Sequence, residues 1–329
     1  MKKGLPHGLL LLLALACAVV AHAGTRTDAD GQKGDGNGAR RAEIPRGVRS
    51  VTIPVTLKLR DEQPASEELR VLNLYVTEDG ERQEILSTRS AADRAPLALT
   101  LLVQDDLVSS IGLEISGLAN FIRNLPQGSH VQVGYLRSGS IQLRQKFTTD
   151  LERAAKVLRV PVGTASAAPY NPYVQIYDAL KRYGGVPLGT RRAVLVISDG
   201  LDVSRGFDSS SPSQSVDLER AISEAQRRSV AIYAIYAPTV GQGGNSALVN
   251  NAQGSLLRLS QETGGKAFFQ GTGAPVSFTP FLREVSDRLA RQLALTYLST
   301  HENRGFHRIK IDSPGTEAEL AYPVGYTRK

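Results

Sequence analysis

Cysteine is nearly missing from this sequence, since Cys17 is the only one among 329 residues. Cys17 lies in an apolar stretch, Leu9 to Val20, which follows Lys2 and Lys3 and precedes the small-residue pattern Ala21-His22-Ala23. These features predict an export signal at residues 1–23. Cleavage after Ala23 would leave a chain without cysteine, which excludes disulfides and thiol catalysis.

Two alternatives to a cleaved signal stay open at this point. Lipoprotein processing before Cys17 would anchor the protein, and Ala16 fits that cleavage, whereas Ala14 and Leu15 fit it poorly. An uncleaved anchor would need about 20 apolar residues, and this stretch is shorter. No later stretch is long enough, so we expect an exported protein, periplasmic or extracellular, without a transmembrane helix after cleavage.

Other absences narrow the function. The formal net charge is +7, but the basic residues are interspersed with acidic ones and form no stripe with aromatic residues, which argues against nucleic acid as a partner. After the signal, histidine occurs only as His130, His301 and His307, without the carboxylate pattern of a zinc site. The Gly-x-Ser-x-Gly turn of a serine hydrolase is also missing.

The two flanks of the sequence have a β-rich pattern. Residues 24–47 are polar and rich in glycine, which predicts a flexible linker. Residues 48–95 contain the runs VTIPVTLKL, LRVLNLYV and RQEILST, with Asp79-Gly80 as a tight turn. Residues 296–329 return to this pattern, so we expect them to pair with residues 48–95 in a small β-rich unit.

Residues 96–295 instead alternate apolar strands with amphipathic helices. The strands include LALTLLV, AVLVI and AIYAIY. The predicted helices are Ile111 to Leu125, Val174 to Tyr183, Val216 to Arg228, Leu248 to Thr263, and one with Ser277 as its N-cap. This order predicts an α/β fold with a doubly wound, mostly parallel sheet.

Acidic residues follow two of these strands. Asp105 and Asp106 come after LALTLLV, and Asp199 and Asp202 come after AVLVI. Ligands bind at the carboxyl ends of strands in such sheets, and carboxylate and hydroxyl oxygens suit Mg²⁺ or Mn²⁺. The alternative is that Asp105 and Asp199 only accept hydrogen bonds from backbone amides at helix starts or turns.

Several motifs occur in an order that belongs to a known family. They are VTEDGERQEI (76–85), Thr263-Gly264-Gly265, FLREVSDRLARQLALTY (281–297) and Gly325-Tyr326. From Val51 onward the sequence resembles the von Willebrand factor A-related domain proteins secreted by acidobacteria and some other bacteria. The resemblance implies a von Willebrand factor A or Rossmann-like sheet and a protein-binding role without catalysis.

The resemblance also implies a metal-ion-dependent adhesion site. The family pattern has D-x-S-x-S after the first strand, a Thr on a second loop and an Asp after the fourth strand. Here Asp105, Ser109 and Asp199 match ligand positions, whereas Leu107 and Val174 stand where a Ser and the Thr are expected. With two of the five ligand positions apolar, we expect a degenerate site that holds Mg²⁺ or Mn²⁺ weakly or not at all.

Residues beside this edge suit contact with a protein. Tyr170 and Tyr173 precede a predicted helix, and Asp202 and Phe207 lie in the loop after Asp199. Exposed aromatic side chains contribute strongly at interfaces, although ordinary loop packing is the alternative. We therefore predict a non-catalytic adhesion or scaffold protein with a protein partner that the sequence does not identify.

Two other functions stay open. One is a metal-assisted hydrolase that uses Asp105 and Asp199, for which the sequence shows no positioned base or nucleophile. The other is a structural role in envelope assembly, with the α/β part as a rigid spacer.

Overall fold

Two β-sheets organise the residues that the computed structural model describes, which are 48–58, 73–91, 95–187, 189–206, 210–239, 245–314 and 319–328. The predicted export signal, the predicted linker and Phe207 lie outside these ranges, as does the first half of LRVLNLYV.

The described residues form strands at both flanks and alternating strands and helices between them. In chain order the strands are β1 (Arg49–Lys58), β2 (Tyr75–Glu78), β3 (Glu81–Arg89), β4 (Leu97–Gln104), β5 (His130–Leu136), β6 (Gln142–Thr148), β7 (Arg191–Ser198), β8 (Ala231–Tyr236), β9 (Ala267–Phe268), β10 (Gln292–Ser299), β11 (Gly305–Asp312), β12 (Glu319–Ala321) and β13 (Gly325–Arg328). The α-helices are α1 (Ile115–Arg123), α2 (Leu151–Lys156), α3 (Pro172–Lys181), α4 (Val216–Arg228), α5 (Ser246–Glu262) and α6 (Thr279–Ala290).

The antiparallel sheet is built from both flanks of the α/β part. Its order is β12-β1-β10-β3-β2-β11-β13. Strands β1 and β10 pair with Val51 opposite Tyr297, and the Thr52 and Thr296 hydroxyl oxygens lie 2.9 Å apart. The expectation that the two flanks pair is therefore confirmed. Strand β10 begins at Gln292, inside the range that the sequence pattern assigned to the α/β part.

A polar network crosses the antiparallel sheet. The buried Glu78 carboxylate accepts hydrogen bonds from the Tyr326 hydroxyl (2.9 Å) and the Ser299 hydroxyl (3.0 Å). Nδ1 of His307 lies 2.8 Å from an Asp79 carboxylate oxygen, and its Nε2 lies 2.8 Å from a backbone carbonyl oxygen. These contacts join the β2–β3 turn to β11 and β13. The network was not predicted from the sequence, because its residues are far apart along the chain.

The second sheet is mostly parallel and is covered on both faces. Its order is β6-β5-β4-β7-β8-β9, and only β6 runs antiparallel to its neighbour. Side chains alternate along β4: Leu99 and Leu101 pack with α1 and α6, whereas Ala98 and Leu102 pack with α3, α4 and α5. The predicted α/β fold, with a doubly wound and mostly parallel sheet, is confirmed.

Several helices differ from the sequence predictions. The segment expected to be helical from Ile111 starts as a 3-10 helix over Ser109–Glu114 and becomes α-helical at Ile115. Helix α2 was not predicted, and Asp150 caps it by accepting a hydrogen bond from the Arg153 amide. Helix α6 begins at Thr279, with Phe278 as its N-cap. None of the helices in the described ranges has both the length and the apolar character that crossing a membrane requires.

Candidate functional site

The acidic residues that follow β4 and β7 lie at one edge of the parallel sheet. These two strands are neighbours, with Val103 aligned to Ile197, so the loops that follow them start side by side. Gln104 connects the two loops: its amide nitrogen donates to an Asp106 carboxylate oxygen (2.9 Å), and its carbonyl oxygen accepts from the Asp199 amide (3.2 Å). We call this region the carboxyl edge.

Asp105 is fully buried at the carboxyl edge and is held by arginine. Arg159 donates to both of its carboxylate oxygens, at 2.7 and 2.8 Å, and the Val162 amide donates to one of them at 3.0 Å. A nitrogen of Arg137 lies 3.7 Å from the same carboxylate. Burial alone would raise the pKa of Asp105, but these hydrogen bonds and charges outweigh it and lower the pKa below its usual value.

Asp199 and Asp106 form the second acidic group of the carboxyl edge. Asp199 is buried and accepts a hydrogen bond from the Leu201 amide at 3.1 Å. Burial raises the pKa of Asp199 to about 7, and the negative charge of Asp106 adds to the increase. Burial also raises the pKa of Asp106. Asp105 and Asp106 lie together in the turn that follows β4, and Asp106 is the one whose charge raises the pKa of Asp199.

Gly200 brings helix α5 close to Asp199. Its φ is +69°, and a Cβ atom at this position would lie 2.4 Å from Leu256 Cγ and 2.8 Å from the Ala252 carbonyl oxygen. Both the backbone conformation and the close approach therefore require glycine. The Asp-Gly pair after β7 is needed for the packing of α5 as well as for the position of the carboxylate.

The other three positions of the family motif offer one side-chain oxygen, that of Ser109. Ser109 is exposed in the 3-10 helix that follows β4, Leu107 is fully buried, and Val174 is 40% exposed on α3. Leu107 makes a short antiparallel bridge with Thr239, in the loop after β8. Leu107 therefore packs under the edge at the position where the family motif has a serine.

A metal ion does not fit the predicted ligand set of Asp105, Ser109 and Asp199. Both carboxylate oxygens of Asp105 are already bonded to Arg159, and Ser109 faces solvent. Among the described residues, no group of three or more His, Cys, Asp or Glu side chains is arranged to hold an ion. A guanidinium group lies beside the carboxylate that the resemblance assigns to the metal.

The residues predicted to contact a partner have different surroundings. Tyr170 is 57% exposed, whereas Tyr173, which the sequence analysis expected to be exposed, is fully buried and donates a hydrogen bond to the Gly200 carbonyl. Tyr173 is the second residue of α3, directly after the N-cap Asn171 and Pro172, and its ring lies in the hydrophobic core on that face of the parallel sheet. Asp202 is also buried and accepts hydrogen bonds from the Ser215 hydroxyl and the Ser204 amide. Of this set, Tyr170 alone is exposed within the described residues.

The exposed surface at the carboxyl edge combines arginine with apolar side chains. The side chains of Arg137 and Arg159 are 40% and 28% exposed. Exposed apolar residues accompany them in the same loops and on α3, namely Val160, Val162, Tyr170 and Val174. Gln175 of α3 bonds to both the amide and the carbonyl of Arg137, which fixes α3 against that loop. The sequence analysis missed both arginines, because they come from loops without an acidic or glycine-rich motif.

Comparisons with known proteins found similarity at a low level, and to solved structures alone. No protein-family model matches the chain, and no curated protein matches it. Among solved structures, the conserved hypothetical protein BatB from Bacteroides thetaiotaomicron is 12% identical, with 60% of this chain and 97% of that chain covered and a TM-score of 0.42. The SpRpn10 VWA domain is 13% identical, with 57% and 94% covered and a TM-score of 0.39.

A third similar structure is proximal thread matrix protein 1 from the mussel byssus, described with a zinc-occupied MIDAS motif. It is 16% identical, with 65% of this chain and 50% of that chain covered and a TM-score of 0.38. These values are too low to support an argument about function. The order of strands and helices described above is that of a doubly wound α/β sheet, and an antiparallel sheet from both flanks is joined to it.

Proposed function

We propose that this protein is a non-catalytic binding module that recognises a carboxylate-bearing protein partner at the carboxyl edge, without a metal ion. The observation that carries the proposal is the paired contact of Arg159 with Asp105. It engages both oxygens of the carboxylate and leaves Arg137, at 3.7 Å, as the more exposed guanidinium of the pair. A guanidinium binds a carboxylate through parallel hydrogen bonds.

The composition of the surface supports a protein as the partner. Arginine and tyrosine are enriched at the energetic centres of interfaces. Here Gln175 of α3 bonds to the backbone of Arg137, and Tyr170 and Val174 are exposed at the start of the same helix. The acidic side chains of this edge are buried. An approaching partner therefore meets guanidinium and apolar groups first.

A crosslinking pulldown from envelope fractions tests this proposal. We expect the wild-type chain to retain its partner in the presence of a chelator, and Arg137→Glu to lose it because the substitution repels a carboxylate. Arg283→Glu is the matched control, since Arg283 is exposed on α6. Capture that survives Arg137→Glu, or that disappears with the chelator, would contradict the proposal.

We also propose that the protein acts after export, on the basis of the signal pattern in residues 1–23. Amino-terminal sequencing of the protein recovered from periplasm and medium is expected to begin at Gly24. Recovery of a lipid-modified chain beginning at Cys17 would instead establish the lipoprotein alternative.

A further inference from the structure

We propose that a cavity between the two sheets binds a small phosphate-bearing ligand. The cavity has a volume of about 330 Å³, within the range of small-molecule sites. Strands β1 and β13 form one side, and the start of β7 and the end of α4 form the other. Its chemistry is set by six of the lining residues: Arg49, Thr52, Arg192, Arg227, Ser229 and Thr327. We call it the arginine cavity.

The arginine cavity is separate from the carboxyl edge. Arg192 lies at the start of β7, and Asp199 follows the end of the same strand. Seven residues of extended chain span roughly 23 Å. Ligand binding in the cavity therefore does not depend on the function proposed for the carboxyl edge.

Positive charge in the arginine cavity exceeds the negative charge near it. Among the described residues that line it, three are arginines and none is Asp or Glu. Arg227 is paired with Glu224, but the same carboxylate also accepts a hydrogen bond from Arg228 at 3.0 Å. One carboxylate thus compensates two guanidinium groups, which leaves a positive surplus.

Arg192 adds a buried charge that has no carboxylate beside it. Its side chain donates to the backbone carbonyls of Arg228 and Val186, each at 2.8 Å, and to that of Pro187 at 3.2 Å. Only 8% of the residue is exposed, and burial lowers its pKa. The hydrogen bond from Arg192 to the Arg228 carbonyl also pairs one of the last carbonyl groups of α4. The guanidinium charge therefore compensates the negative end of the helix dipole beside the cavity.

Arg49 carries a buried donor without a partner. Its Nε is buried and has no hydrogen-bond acceptor among the described residues, while the guanidinium carbon lies 5.0 Å from the centre of the Tyr326 ring. Leaving a buried donor unpaired costs free energy, and a bound anion would provide the acceptor. Three hydroxyls that line the same cavity are already bonded within the protein: Ser229 donates to the Thr52 carbonyl, Thr327 donates to Gln226, and the Thr52 hydroxyl bonds to that of Thr296.

Phosphate matches this donor set better than a single carboxylate does. A phosphate group carries a charge of about −1.5 to −2 and offers three strong acceptor oxygens, which suits the three guanidinium groups that line the cavity. Arginine binds such oxygens in pairs through its fixed fork of donors.

Isothermal titration calorimetry of the purified full chain at low salt tests the proposal. We expect inorganic phosphate or glycerol 3-phosphate to bind with one site per chain, and Arg49→Gln to weaken binding by about tenfold, because one charged hydrogen-bonding group is lost. Arg283→Gln on α6 removes the same charge from an exposed position and is expected to leave binding unchanged. Arg227→Gln replaces Arg49→Gln if the latter unfolds, as judged by circular dichroism.

Three results would overturn the proposal. The first is the absence of binding heat for both phosphate compounds at millimolar concentration. The second is equal binding of succinate, which would show that any dianion is accepted. The third is that Arg283→Gln weakens phosphate binding as much as Arg49→Gln does, which would show that the phosphate is attracted by the overall surface charge and not by the cavity.

Discussion

Asp105 and Asp199 follow neighbouring strands at one edge of the same sheet, yet the protein stabilises opposite charge states of the two. Around Asp105, two arginines and a backbone amide favour the ionised form. Around Asp199, burial and the adjacent Asp106 favour the protonated form, with a pKa of about 7. A position at the end of a parallel strand therefore does not determine the chemistry of a carboxylate. The loops that pack against it do.

Removing Arg159, the partner of Asp105, is expected to change the stability of the protein strongly. Arg159→Ala leaves a fully buried carboxylate without its paired donors, which should lower the free energy of unfolding by about 3 kcal/mol. Urea unfolding followed by circular dichroism measures the change. The double variant Arg159→Ala with Asp105→Asn should recover part of the loss, because the charge is removed with its partner. A single variant as stable as wild type would show that the pair contributes nothing.

The Asp199 side of the comparison depends on Gly200. Gly200→Ala forces a positive φ on alanine and places Cβ against Leu256 and the Ala252 carbonyl, so we expect a loss of about 2 kcal/mol. The matched control is Gly185→Ala, since Gly185 has no atom within 4 Å of an added Cβ. Thermal unfolding of both variants measures the two losses of stability. Equal unfolding midpoints for Gly200→Ala and Gly185→Ala would show that α5 does not pack closely against Gly200.

Asp199→Asn should change how stability depends on pH. The pKa of Asp199 is about 7 in the folded state and 3.8 without the fold, so between these values the folded state holds a proton that the unfolded state has released. The free energy of unfolding of the wild type therefore falls as pH rises through this window. Relative to the wild type, we expect Asp199→Asn to gain up to about 4 kcal/mol of stability between pH 4 and pH 8.

Unfolding midpoints measured across this pH range test the Asp199 prediction. Asp287→Asn, an exposed aspartate on α6, controls for the loss of one carboxylate elsewhere. If the difference between Asp199→Asn and the wild type does not vary with pH, then Asp199 does not titrate in this window.

Divalent cations should have the smallest effect. Because Arg159 already bonds to both oxygens of Asp105, we expect Mg²⁺ or Mn²⁺ to cause no measurable shift in the thermal midpoint of the wild type. A shift that Asp105→Ala abolishes would show instead that a metal displaces the guanidinium. In that case the carboxyl edge would be a working metal site.

Much of the fold could be predicted from local patterns in the sequence. Apolar runs such as LALTLLV are buried on both faces because helices cover the sheet on both sides, and the alternating pattern of the flanks marks strands that pair across the α/β part. The short helix α2 was missed because its six residues do not show a helical period.

The candidate site was less predictable because its contacts come from distant loops. Asp105 and Asp199 could be placed at one edge from strand order alone, but Arg159 reaches Asp105 from 54 residues further along the chain. The Gln104 side chain bonds to both the Asp106 carboxylate and the Asp199 amide, and so connects Asp106 to the loop after β7. No motif in the sequence indicates this contact. The burial of Tyr173 likewise depends on the exact start of α3.

The pairing of β1 with β10 has a consequence for biogenesis. The hydroxyl contact between Thr52 and Thr296 joins residues 244 positions apart, and closing so long a loop slows the formation of the sheet. An unpaired strand is also prone to aggregate with other chains. Strand β10, the partner of β1, is complete only after residue 299 has been synthesised. A chaperone that covers residues 49–58 during synthesis would therefore protect this protein more than it would protect a protein whose strands pair locally.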